Sequence, residues 1–490
     1  MNKKLALTLA AAVWLTACAA ADNNNNNANP TNTGDVDSHV TCKGDVCTMT
    51  APINDPITKN ITLTSDKQWL IKGGVFVGDD KAETVLTIEA GTTVYGDTSS
   101  KAFMVIRRGS KIEAAGTKDA PIVFTSSKAP GSRAPGDWGG LVINGKAVVN
   151  GCDNLPCESE GEGGSGKYGG SDDADNSGTL KYVRVEFAGH PITEDNELNG
   201  IAFQGVGSGT TIEYVQVHMA ADDGVEFFGG AAQFKYVLTT GISDDNLDWT
   251  DGWRGKGQFF VAQQRDDMGD NGIEADNNGD ANDTTPRSQP TLANITLIGS
   301  PDSKTSDMGL LLREGTGANI YNALVLGWND TCLDIDHTST FSNANTDGTE
   351  AGFTGNLTMV NSHLGCAKPL TMGDQYDKVK DGETCKDSSA PTVKGEGEKK
   401  ELRCYQKDPW SLEDFFTLWN AGNTKDTKYE GVLNAPFNFD APDFTPKAGG
   451  GADRNGTTPA GDDFFVDTKF IGGVDPANDW TKGWTTTASN

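Results

Sequence analysis

The chain has 490 residues, with 69 acidic against 40 basic side chains and a net charge of −29. That balance excludes binding to nucleic acid or to anionic lipid through a basic patch, because such binding draws on clustered Lys and Arg. The length allows an extensive core, and the 60 glycines indicate many tight turns rather than long helices.

The N-terminus reads as an export signal. Met1-Asn2-Lys3-Lys4 is a short cationic start, and Leu5 to Val13 is a largely apolar run. The run is too short to span a bilayer as a permanent helix. Leu15-Thr16-Ala17-Cys18 resembles the bacterial lipobox, so residues 1–17 are expected to be removed and Cys18 to be acylated. Ala19 follows the cysteine rather than Asp, which by resemblance to enterobacterial sorting points to the outer membrane. Residues 18–40, with Asn23 to Asn27 and then Ala, Pro, Thr, Gly and Asp, hold nothing that would bury a core. They are expected to form a flexible tether.

Eight cysteines remain, in the close pairs Cys42/Cys47, Cys152/Cys157, Cys332/Cys366 and Cys385/Cys404. An even number in an exported chain reads as disulfides. Cys42 and Cys47 have the look of half a zinc site, but no second half with matching spacing exists.

From about residue 60 to 370, short β-rich runs alternate with Gly/Asp/Asn turns, which is the pattern of an all-β chain. Examples are Leu86 to Gly91, Met104 to Gly109, Pro121 to Ser126, Tyr182 to Phe187 and Tyr214 to His218. Leu86 and Met104 stand 18 apart, Tyr214 and Tyr236 stand 22 apart, and Asn294 and Asn319 stand 25 apart. A repeat of this size is about one coil of a parallel β-helix, whereas propeller repeats are roughly 40 or longer. Irregular offsets, such as 32 between Tyr182 and Tyr214, indicate loops inserted at the corners. Residues 151–180 form one such insertion. Residues 41–375 are therefore expected to form a right-handed parallel β-helix. Residues 376–490 are expected to be a C-terminal extension that packs on it. Within the extension, Asp408-Pro409 resembles a helix start, and Leu412, Phe415, Phe416 and Trp419 fall at helical spacing before Gly422. This short helix would cover an end or a side of the solenoid, hiding unpaired strand edges.

Three acidic segments recur. Asp222-Asp223-x-x-Glu226, Asp244-Asp245-x-x-Asp248 and Asp266-Asp267-x-x-Asp270 follow one another at an offset of 22. On a β-helix, equivalent positions of successive coils stack about 4.8 Å apart, so nine carboxylates would line one edge. Phe227 and Trp249 share the register of the first two segments. In the third the neighbours change to Asn271-Gly272, which makes it the weaker match. Asp251, Glu274, Asp276 and Asp280 lie close by. Such an edge suits calcium, which takes six to eight oxygens. The competing reading is a row of solvated turn residues. No twelve-residue EF-hand pattern is present.

The same residues admit an enzymatic reading, since pectate lyases and polygalacturonases are β-helices with Asp clusters in a groove. Arg254, Lys256, Arg265 and Arg313 are available bases, and Trp249 and Trp253 are candidate platforms for sugar rings. Against this, the Gly-His-Gly and Arg-Ile-Lys stretches of polygalacturonases are missing, and fold analogy alone assigns no catalysis. Asp334, Asp336, His337 and His363 are a further grouping, more readily structural than metal-binding. No His-Glu-x-x-His, Gly-x-Ser-x-Gly or phosphate-binding Gly-Lys-Ser/Thr occurs.

Ile88 to Thr92, Arg107 to Ala114, Pro121 to Thr125, Gly136 to Gly140 and Ala221 to Gly230 resemble a family of bacterial envelope β-helix lipoproteins. Asp244 to Trp249, Gly272 to Asn277 and Trp480-x-x-Gly-Trp484 are similar to the same family. The resemblance spans most of residues 60–484. It implies the fold and an envelope location and supplies no catalytic residue. The resulting expectation is an outer-membrane lipoprotein, held to the membrane by its N-terminal lipid. It would act as a binding or scaffolding solenoid with structural calcium, and its partner would be an outer-membrane protein or a polysaccharide. The alternative is a polysaccharide lyase or hydrolase using the Asp cluster.

Overall fold

The computed structural model describes residues 37–490 apart from 153–155, 192–196, 348, 373–375, 380–381, 386–388, 395–400, 406–410, 414–415 and 417–421. The expected signal peptide, Cys18 and the tether up to residue 36 lie outside the described residues. So does most of the helix expected between Asp408 and Gly422. Of that stretch, Leu412 and Phe416 are described, and both are buried in the main core.

The β-branched and aromatic runs form strands because alternation gives each an inward apolar face. In Val85–Ile88, for example, Leu86 and Ile88 are buried while Val85 and Thr87 are half-buried. Ten strands, from Gly74–Val77 to Leu370–Met372, stack in one wholly parallel sheet. The other coil strands form an 18-stranded set, opened by the antiparallel hairpin Val40–Lys43/Val46–Met49 and parallel thereafter. The chain is therefore an all-β parallel β-helix, and its inward apolar side chains make one continuous core. The ladder continues past residue 375, since Thr424–Asp426 pairs parallel with His363–Gly365. The extension also carries a small antiparallel sheet of Tyr376–Val379, Thr392–Lys394 and Glu401–Tyr405. A seven-residue helix, Thr338–Ala344, interrupts the coils.

The long strands of the 18-stranded set bend at one corner. Tyr182, Tyr214, Tyr236, Phe259, Asn294, Asn322 and Asn361 occupy that corner, with φ between 48° and 65°. Left-handed backbone costs a non-glycine residue roughly 1–2 kcal/mol, and stacking offsets it here. The rings of Tyr182, Tyr214, Tyr236 and Phe259 lie at successive centroid distances of 4.5, 4.4 and 4.8 Å. The column then becomes an amide ladder. Asn322 Nδ2 donates to Asn294 Oδ1 at 3.3 Å, and Asn361 Nδ2 donates to Asn322 Oδ1 at 3.0 Å. The tyrosine offsets read from the sequence are thus true coils. Two other offsets are not. Leu86 pairs with Ile112 while Met104 belongs to the ten-stranded sheet, so their separation of 18 joins two different faces. Asn294 meets Asn322, 28 residues on, rather than Asn319.

Residues 455–488 strap the outside of the bent face. Asn455 O accepts from Asn361, Val466 exchanges two hydrogen bonds with Gln258, and Thr486 exchanges two with Gln216. Phe470, Trp480 and Trp484 close over Phe259 and the tyrosines, forming a second apolar cluster. All four expected disulfides are present: Cys42–Cys47, Cys152–Cys157, Cys332–Cys366 and Cys385–Cys404.

Candidate metal centre

Val225–Phe228, Leu247–Thr250 and Ile273–Ala275 are successive rungs of the ten-stranded sheet. Alternation sends Val225, Phe227, Leu247, Trp249, Ile273 and Ala275 into the core. It sets Glu226, Asp248 and Glu274 in register on the opposite face. The turns leading into these strands are tied by a side-chain ladder. Asp223 Oδ1 accepts the amide of Asp245 at 3.0 Å, Asp245 Oδ1 accepts that of Asn271 at 2.7 Å, and Asn271 Oδ1 accepts that of Met308 at 3.2 Å. An acid or amide recurs at this position because it holds the start of the next coil.

The first two rungs stand 22 apart, as expected, but the third follows after 26. The expected alignment of Asp266, Asp267 and Asp270 with the earlier segments is therefore corrected. Asn271 follows Asp245, and Glu274 follows Asp248. The extra residues form a turn closed by the bridge between Arg265 and Met268, which carries Asp266 and Asp267 outward. Both are exposed; Asp266 accepts from Ser300 Oγ, and Asp267 pairs with Arg265 at 2.8 Å. Asp270 stays on the acidic edge, where Asp244 and Glu274 act on it.

The edge is compact. Candidate ligand oxygens lie within 4.8 Å of one another in three overlapping groups: Glu197/Asp222/Asp244, Asp223/Glu226/Asp248 and Asp223/Asp244/Asp245. Glu197 and Glu162, which acts on Asp222 and Glu226, arrive from loops outside the coil repeat. No periodicity marks them, so sequence reasoning missed both. The side chains do not splay into water. Asp222, Asp223, Glu226 and Asp245 are only 8, 7, 7 and 4 % exposed, which contradicts the solvated-turn reading.

Burial, reinforced by neighbouring carboxylates, raises the proton affinities of Asp222, Asp223, Glu226, Asp244, Asp245, Asp248, Asp270 and Glu274. Asp222 is pushed up to about 8 and Asp270 to about 6. Asp223, Glu226, Asp245 and Asp248 are driven well above the carboxylate range. Among the described residues, no Lys or Arg pairs with Asp222, Asp223, Glu226, Asp244, Asp245, Asp248 or Asp270. Arg313 is held by Glu274 and by Asp276, the latter at 3.0 Å. Asp248 Oδ1 is buried without a hydrogen-bond partner. Hard oxygen donors grouped at this spacing, one of them orphaned, fit a divalent cation such as calcium.

The other sequence candidates separate. Arg254 pairs with Asp173 at 2.8 Å and Lys256 with Asp462 at 2.5 Å. Trp249 and Trp253 are fully buried and offer no face to a sugar, which corrects the expectation of sugar platforms. Trp249 Nε1 donates to Thr316 Oγ1, and Trp253 stacks on Phe227 at 4.2 Å. His337 receives the amide of Glu314, whereas His363 stands in register with Leu324 in the other sheet, so the Asp/His grouping does not assemble.

Fold and edge together define a parallel β-helix protein with a covered face of carboxylates. The model of the pectate-lyase-like β-helix domain family matches residues 55–410, and the chain belongs to that family. No curated protein and no solved structure matches the chain.

Proposed function

We propose that the protein is a lipid-anchored binding or scaffolding module of the cell envelope whose β-helix carries calcium on its acidic edge. The observation that carries the calcium reading is the burial of converging carboxylates without a cation, with Asp248 Oδ1 left unpaired. Bare like charges about 5 Å apart repel by roughly 3 kcal/mol per pair at an effective dielectric near 20. A bound cation turns that repulsion into ligation. The lipobox-like Leu15 to Cys18 and the four disulfides support an exported, anchored chain.

Family membership keeps a polysaccharide lyase or hydrolase as the second reading. The local chemistry supports it less. Of the candidate bases named from the sequence, Arg313 alone acts on the edge carboxylates, and Asp276 and Glu274 raise its proton affinity further, which holds it as a cation. A base must give up its proton near the working pH. Calorimetric titration of the chelator-treated chain with calcium tests the first reading. Saturable binding that is lost in Asp223→Asn/Asp248→Asn is expected. Absence of binding, together with cleavage of polygalacturonate, would favour the second.

A further inference from the structure

Away from the acidic edge, three concavities follow one another along the loop of residues 429–442. The first, about 220 Å³, runs from Tyr429 to Asn438. The second, about 660 Å³, shares Phe437 and Asn438 with it and is floored by Arg265, Asp266 and Asp267. The third, about 210 Å³, shares Asp440 with the second and ends at Lys482 and Thr487. Each shares lining residues with the next, so the three form a row, here called the trough, and its middle section alone has the volume of an ordinary ligand site.

The trough is pre-formed. Its loop joins the paired strands Leu433–Ala435 and Asp443–Pro446. It is pinned to the solenoid by Gln263 Nε2, which donates to Pro436 O at 2.7 Å. Phe439 is clamped between His218, stacked at 6.0 Å, and the guanidinium of Arg265, 5.5 Å from its ring. Phe437 differs. It is 38 % exposed, with its ring edge-on to Tyr429 at 5.1 Å. Its exposed part gives the first two concavities an aromatic wall.

The charges narrow the ligand. Arg265 is neutralised by Asp267, and Lys482 lies 3.7 Å from Asp479. Among the described residues no cation pairs with Asp266, Glu430 or Asp440. The trough therefore has carboxylates to spare and no free cation, which repels a polyanion such as polygalacturonate. Carboxylates and the Asn438 amide take up hydroxyl groups, and an open ring takes up the apolar C–H face of a sugar.

We propose that this trough binds a neutral polysaccharide chain, with Phe437 as the stacking platform. The site stands apart from the carboxylate edge and does not rest on the calcium reading.

The test is affinity electrophoresis and calorimetry of the full chain. The probes are β-1,4-linked hexasaccharides of glucose, xylose and mannose, their disaccharides, polygalacturonate and an oligolysine peptide. At least one neutral hexasaccharide is expected to bind about tenfold more tightly than its disaccharide. Phe437→Ala should weaken it by about tenfold, or 1.4 kcal/mol, while Phe437→Trp retains it. Binding should be the same in millimolar calcium and in chelator. The proposal is overturned if no neutral chain binds, if only polygalacturonate or oligolysine binds, or if Phe437→Ala binds as the unaltered chain does. Because Phe437 is partly exposed, its variants should melt within about 2 °C of the parent, which separates lost binding from lost folding.

Discussion

Asp223 and Asp245 each do two things. One carboxylate oxygen accepts the amide that starts the next coil, and the group as a whole is a buried acid crowded by other carboxyls. Substitution by Asn separates the two roles, because an amide oxygen still accepts while the ionisable acid is gone. The double variant is expected to fold, and to be more stable than the parent in chelator at pH 8, as measured by denaturant titration. A second consequence concerns pH. These carboxyls hold protons more tightly folded than unfolded, so metal-free stability is complete below about pH 4 and is lost as pH rises through the raised values. With Asp270 near 6 and Asp222 near 8, the loss should fall between about pH 4 and 9. Scanning calorimetry in chelator should show a melting temperature that declines across that window. Asn322 offers an independent check on the corner. It is 1 % exposed at φ 57°, donates to Asn294 and Thr457 O, and accepts from Asn361 and the Thr457 amide. Asn322→Ala should cost about 2–4 kcal/mol in a denaturant titration, from unsatisfied buried partners and left-handed strain. Asp222, Asp223, Asp244 and Asp245 were legible because an identical offset recurs with matching aromatics. Trp249 and Trp253 misled because tryptophan beside acid resembles a sugar platform. Trp249 shares its parity with the core residue Leu247, which already sends it inward.

At the level of elements, the strands and the solenoid were readable from short alternating runs and turn residues. The coil length was readable only in part. Where no loop intervenes, as between Tyr214 and Tyr236, the repeat is plain. Where a corner swells, a chance match such as Leu86 with Met104 competes with the true partner Ile112. The four-residue slip of the third acidic rung has the same origin: a turn stabilised by its own bridge is invisible to a search for constant spacing. The strap was legible only as part of the C-terminal extension expected to pack on the solenoid, and its path follows from partners far away in sequence, such as Gln216 and Gln258. Removing residues 455–490 should expose the tyrosine column and produce oligomers in light scattering, since the second apolar cluster would lose Phe470, Ile471, Val474, Trp480 and Trp484. The disulfide Cys332–Cys366 joins residues 34 apart. By chain entropy, replacing both cysteines should cost about 3–4 kcal/mol, again read by denaturant titration.

For the molecule as a whole, anchoring and calcium are separable. Cys18→Ser should move the protein from the membrane to the soluble fraction or stall its processing, and mass spectrometry finding an unacylated mature N-terminus elsewhere would contradict the anchor. The net charge of −29 is compatible with the proposed exported chain and its proposed affinity for a hard cation. A ligand that binds only the folded state raises stability in proportion to the logarithm of its concentration. The decisive measurement is the melting curve of the chelator-treated chain at pH 8, with and without millimolar calcium, beside Asp223→Asn/Asp245→Asn. A rise of several degrees in the parent, absent in the double variant, is the expected result. Identical curves with calcium and with chelator, in protein shown by elemental analysis to be free of metal, would contradict a calcium-binding edge.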